Sequence, residues 1–134
     1  MVGADLVVLW GINAAYSSIN VMTLVKQARG RGAWVVAVDP YRNSTVRQAD
    51  EHLMVRPGTD SALALAIMHV LIEEGLVDQE YVARATLGYD RLAAHVRGYA
   101  PAAVPDIVGL PTPNQPARSV SRAPPVSARR TRIA

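Results

Sequence analysis

The sequence contains no cysteine, which removes disulfides, iron–sulfur ligation and thiolate metal ligands from the chain. It has a single lysine, Lys26, against thirteen arginines, a coding bias rather than a chemical signal. Long apolar runs are also lacking. The longest, Ala62 to Met68, falls far short of the ~20 residues needed to cross a bilayer, so no membrane insertion is expected. Met1 to Trp10 has no basic n-region and reads as no signal peptide, which leaves the compartment open between cytoplasm and periplasm. The three spaced glycines of an ordinary dinucleotide site are missing. Ser17, Ser18 and Ser44 lack a G-x-S-x-G setting, so nucleophilic catalysis has no support. His52, His69 and His95 lie at unrelated spacings and form no metal set. His69 reads as a core or helix-face residue, His95 as a surface one, and Glu73 and Glu74 as solvated.

What remains is a chain of 134 residues, half of them hydrophobic, the length of one domain. Its net charge of +3 is unevenly placed. Residues 1–112 carry nine basic and eleven acidic side chains, a balance of −2. Residues 113–134 carry Arg118, Arg122, Arg129, Arg130 and Arg132 with no acid, a balance of +5. Such a tail could hold nucleic acid or acidic membranes by charge alone. The simpler reading is a disordered Pro/Arg-rich end, and no nucleic-acid partner is expected.

Leu6 to Leu9 is a short apolar run ending at Trp10-Gly11, read as a buried strand of a parallel sheet. After a loop from Ile12 to Ser18, the residues Ile19, Met22, Leu24, Val25 and Ala28 keep helical spacing up to Gly30 and Gly32. Trp34 to Val38 is a second buried strand, stopped by Asp39-Pro40. The unit has the size of a right-handed βαβ crossover. Residues 41–51 are polar and turn-rich, and Leu53-Met54-Val55 is a candidate third strand. Thr59 is placed to cap a helix in which, from Ala62 to Ile72, only His69 is polar. A helix apolar nearly all round belongs inside something larger. Asp78 caps a further helix, and Leu92, Ala93 and Val96 suggest another before Pro101. The expected fold is α/β: a Rossmann-like parallel sheet with flanking helices, incomplete, over residues 1–112, with a disordered tail over residues 113–134.

In an open α/β sheet, ligands sit outside the carboxyl ends of the strands. Three loops satisfy that position: Trp10 to Ser18, Asp39 to Thr45, and Arg56 to Asp60. Asp39 could accept two hydrogen bonds from a ribose diol, or serve only as a turn former before Pro40. Gly11 could let a backbone approach a phosphate, or form a plain turn. Asp60 could favour the helix dipole from the first turn. It could equally accept from the N1 and N2 donors of a guanine, whose two parallel N–H groups match one carboxylate.

In order, W-G-x-N, D-P with a following arginine, A-D, and R-P-G-T-D-x-A-L stand at Trp10 to Asn13, Asp39 to Arg42, Ala49-Asp50 and Arg56 to Leu63. In this order and spacing the chain, from about residue 4 to about residue 110, resembles the molybdopterin oxidoreductases of the dimethyl-sulfoxide-reductase superfamily. Formate dehydrogenases, nitrate reductases and thiosulfate or polysulfide reductases belong to that group. The resemblance implies a molybdenum or tungsten cofactor held by two molybdopterin guanine dinucleotides, one of them gripped by an α/β domain like this one. Trp10, Gly11 and Asn13 would lie near its phosphates and pterin-side atoms. Asp39, with Pro40, would bind the guanosine ribose, with Arg42 nearby. Gly58 and Asp60 would meet the guanine.

Two departures are small: Ala14 stands where many relatives have proline, and Asn43-Ser44-Thr45-Val46 where the family often has T-x-T-A. A larger one concerns what the family places before the W-G strand, the iron–sulfur cysteines and the side chain that ligates the metal. No iron–sulfur cluster and no catalytic or metal-ligand residue is therefore expected within this chain. The expectation is a fragment of such an enzyme, from a truncated or frame-shifted gene, whose partners are the missing lobes of the same enzyme or other subunits. Two alternatives stand beside it: a stand-alone module that holds a guanine nucleotide without catalysis, and a fragment without function.

Overall fold

The computed structural model describes residues 2–110. The tail expected to be disordered lies outside the described residues. The chain divides into two compact units, one running to Val55 and one starting at Arg56.

The first unit is a three-stranded parallel sheet with its connections. β1 (Leu6–Trp10) is followed by a four-residue helix α1 (Ala14–Ser17), by α2 (Ile19–Arg29) and by β2 (Trp34–Val38). A single 3₁₀ turn (Val46–Gln48) then leads to β3 (Glu51–Leu53). The strand order is β1-β2-β3. Leu6 pairs with Trp34 and Trp10 with Val38, while Val36 pairs with Glu51 and Val38 with Leu53. The core forms where Val7, Leu9 and Val35 meet Ala14, Met22, Val25 and Ala28. Of the apolar residues read along α2, Met22, Val25 and Ala28 form the face that covers the sheet, whereas Ile19 and Leu24 are exposed.

Two expectations are corrected here. β1 is not buried on both sides: Val7 and Leu9 are buried, but Leu6 and Val8 are 45% and 47% exposed. Alternate side chains point to opposite faces, and within this unit only the face of Val7 and Leu9 joins the core. The third strand is Glu51–Leu53 rather than Leu53–Val55. Pairing with Val36 to Val38 fixes its register, and Asp50 supports the approach. The Asp50 carboxylate accepts from the Val35 amide at 2.8 Å while its own amide donates to the Val35 carbonyl at 2.8 Å. Arg29, in the last turn of α2, forms an ion pair with Asp50 and donates to the Gln48 carbonyl at 2.8 Å. Asp50 of the Ala49-Asp50 pair in the sequence pattern thus holds the start of β3 against β2.

The second unit is helical among its described residues: α3 (Asp60–Glu73), α4 (Gln79–Ala85), α5 (Tyr89–Val96) and the short α6 (Pro105–Val108). Asp78 caps α4, its carboxylate accepting from the Tyr81 amide at 2.8 Å. Thr59 stands at the N-cap of α3 but makes no capping bond. Its hydroxyl donates instead to the Arg56 carbonyl at 2.7 Å. Leu63 and Ala66 of α3 are buried with Val96, Val104 and Val108. Ile67 and Met68 are 43% and 37% exposed, and Ile67 borders an apolar groove of about 350 Å³ with Val70, Leu71, Pro101 and Leu110. His69 is half-buried, its Nδ1 bonded to the Val96 carbonyl, while His95 is exposed against Tyr99.

Candidate cofactor-binding site

Parallel pairing puts the carboxyl ends of β1 and β2 side by side. Trp10 lies opposite Val38, and the Gly11 amide continues the ladder by donating to the Val38 carbonyl at 2.8 Å. Gly11 has φ +59° and is exposed. Only glycine takes that conformation without strain, so it turns the chain sharply off the strand. Its N–H is committed to the sheet. The structure thus brings Trp10, Gly11, Asn13 and Asp39 to one end of the sheet. Pro40 and Arg42 follow in the same loop and are exposed.

A hydrogen-bonded chain ties the two loops together. Thr45, fully buried, donates from Oγ1 to Asn13 Oδ1 at 3.2 Å and accepts there from the Ala15 amide at 2.9 Å. Its own amide donates to Asn43 Oδ1 at 2.9 Å, as does the Val46 amide at 3.0 Å. Asn43 Nδ2 then donates to Asp39 Oδ2 at 2.8 Å, and the Tyr41 amide donates to Asp39 Oδ1 at 2.7 Å. His52 Nε2 is 2.7 Å from the Asp39 carbonyl. These polar groups satisfy one another, as buried polar groups must.

Asp39 is half-buried, and each carboxylate oxygen accepts one of these bonds. An ionised carboxylate offers about four acceptor positions. One remains on each oxygen, a spacing suited to the two hydroxyls of a ribose diol. Asn13 uses its carbonyl oxygen toward Thr45, and that contact does not use its two N–H donors. The roles of Asn43 and Thr45 are not apparent from the sequence, where they look like turn filler. The usable signal is an Asp, an Asn and a Thr spaced by four and then two residues, the spacing of side chains that bond nearby amides.

Gly58 and Asp60 belong to the second unit. Gly58 has φ +81° and follows Pro57 in a turn closed by the Thr59 amide on the Arg56 carbonyl at 3.2 Å, the residue pattern of a type II turn. Asp60 is the first residue of α3. Arg56 itself serves the fold. Its amide donates to the Val108 carbonyl at 2.8 Å and its guanidinium to the Asp106 carbonyl at 2.6 Å. Among the described residues, no group of three or more His, Cys, Asp or Glu is placed to hold a metal ion, and no helix is long and apolar enough to cross a membrane.

The family model described as molybdopterin oxidoreductase matches residues 3–126. The probable oxidoreductase YoaE of Bacillus subtilis is 42% identical over 111 residues, which is 83% of this chain and 16% of that protein. Formate dehydrogenase H of Escherichia coli is 40% identical over 106 residues, covering 79% of this chain and 15% of its own. Among solved structures, acetylene hydratase from Pelobacter acetylenicus superposes with a TM-score of 0.72 at 29% identity, over 83% of this chain and 16% of that one. The chain thus spans about a sixth of the length of these relatives. The family's cofactor is a molybdopterin with molybdenum or tungsten. This chain belongs to the molybdopterin oxidoreductase family.

Proposed function

We propose that this chain is the part of a molybdenum- or tungsten-dependent oxidoreductase that grips the guanosine end of a molybdopterin guanine dinucleotide. Asp39, with Pro40, takes the ribose, and Arg42 lies nearby in the same loop. Gly58 and Asp60 meet the guanine, Asp60 on its N1/N2 edge. Trp10, Gly11 and Asn13 serve the phosphates and the pterin side. The observation that carries the reading is the Asp39 carboxylate at the carboxyl end of β2, held by one internal donor on each oxygen and keeping acceptor capacity on both. A nucleotide site at that end of a parallel sheet is where the fold places ligands.

When bound, the cofactor supplies two-electron or oxygen-atom transfer at its metal. The residues of this chain bind and orient it. The lobes that complete the enzyme, on the same chain or on other subunits, supply the surroundings of the metal and the substrate. The test is calorimetric titration of the full chain with GDP, as a stand-in for the guanosine end, beside ADP and an Asp60→Ala variant. GDP binding at least about tenfold tighter than ADP, lost in Asp60→Ala, supports the reading, since that carboxylate would satisfy two N–H donors of guanine. Equal binding of GDP and ADP, or none from a folded sample, overturns it.

A further inference from the structure

We propose that Asn43 is a positioning residue that sets the orientation of the Asp39 carboxylate, and with it the preference of this site for an intact ribose diol. The inference rests on the guanosine reading above and adds a residue to it.

Asn43 is 9% exposed and its carboxamide has one possible orientation. The oxygen accepts two backbone amides, Thr45 at 2.9 Å and Val46 at 3.0 Å, so the nitrogen must face away from them. That nitrogen donates to Asp39 Oδ2 at 2.8 Å. The Tyr41 amide holds the other oxygen at 2.7 Å. Two donors from fixed positions, one on each oxygen, set the plane of the carboxylate. Without Asn43, only Oδ1 is held and the carboxylate turns about its own bonds. A diol needs both oxygens presented together, so it gains most from a preset plane. Thr45 completes the arrangement, because its hydroxyl joins the same loop to Asn13.

Asn43 therefore has two separable duties. Accepting from Thr45 and Val46 shapes the loop, and donating to Asp39 aims the carboxylate. Asn43→Asp keeps the first, since a carboxylate accepts both amides. It abolishes the second, setting an oxygen against an oxygen.

The experiment titrates the full chain and its variants with GDP and with 2′,3′-dideoxyguanosine diphosphate, and follows thermal unfolding of each protein. Wild type is expected to bind GDP about tenfold or more tighter than the dideoxy compound, the worth of hydrogen bonds to a charged group. Asn43→Asp is expected to bind both compounds equally. A folded Asn43→Asp that keeps the wild-type preference overturns the proposal and leaves the guanosine reading standing. A folded wild type that binds neither compound, or both equally, removes the ribose role of Asp39 and this inference with it. Where Asn43→Asp does not fold, Asn43→Ala asks the same question: loss of the preference supports the proposal and its retention overturns it.

Discussion

Thr45 and Asn13 stand 32 residues apart in sequence and are joined by a hydrogen bond of 3.2 Å from the Thr45 hydroxyl to the Asn13 carboxamide. The same hydroxyl accepts from the Ala15 amide. One side chain thereby fastens the loop after β2 to the loop after β1, from a fully buried position. Thr45→Val keeps the shape and removes both bonds, leaving the half-buried Ala15 amide without its partner and the exposed Asn13 carboxamide to water. It is expected to cost roughly 1–3 kcal/mol. Thr45→Ser keeps the hydroxyl and is expected to cost about 1 kcal/mol for the lost methyl group. Urea unfolding of the three proteins gives the order. A Val variant as stable as the Ser variant would contradict the linking role.

Asp50 is expected to matter more for stability than its ion-pair partner. Its side chain is 14% exposed and holds the Val35 amide, whereas Arg29 is 43% exposed. Asp50→Ala should cost roughly 1–3 kcal/mol by stranding that amide. Arg29→Ala should cost about 1 kcal/mol or less, as a half-exposed pair screened by water and salt. Chemical denaturation measures both, and the opposite order would show that the ion pair, not the amide bond, holds β3.

Trp34 carries a buried indole N–H with no hydrogen-bond partner among the described residues. Trp34→Phe removes that donor along with some apolar area. The two effects offset, and the expected change is within about 1 kcal/mol. Trp34→Ala loses the packing without compensation and is expected to cost roughly 3 kcal/mol or more. Comparable losses in both variants would mean that the indole N–H is satisfied in solution.

The open apolar surface of α3 has its own consequence. Ile67 is 43% exposed beside the groove of the second unit. The full chain is expected to bind the dye ANS and to self-associate as concentration rises, because exposed apolar area attracts further apolar area. Ile67→Gln should reduce dye fluorescence while leaving the melting temperature within a few degrees. An unchanged signal would place the dye, and the sticky surface, elsewhere.

Much of this structure was legible in the residues. β1 and β2 are unbroken apolar runs, α2 keeps Met22, Val25 and Ala28 on one side, and Asp78 sits where a cap belongs. α1 and α6 were not legible, because four residues are too few to display a period. β3 was misplaced by two residues because hydropathy favoured Met54, which is 55% exposed, while strand pairing selected Glu51 to Leu53. For the site, strand ends gave the loops and the residue types gave Asp39 its chemistry. Asn43 and Thr45 were hidden because their partners depend on the sheet register, which sets Trp10 beside Val38 and so brings Asn13 within reach of Thr45.

The central claim, that the loops after β1 and β2 hold the ribose and diphosphate of a guanosine nucleotide, is tested most directly by amide chemical-shift mapping of the full chain during titration with GDP. The account predicts that the shifts concentrate on Gly11 to Ala15 and on Asp39 to Thr45, and that they follow one binding curve. Shifts confined to other residues, or separate curves for the two segments, would contradict it.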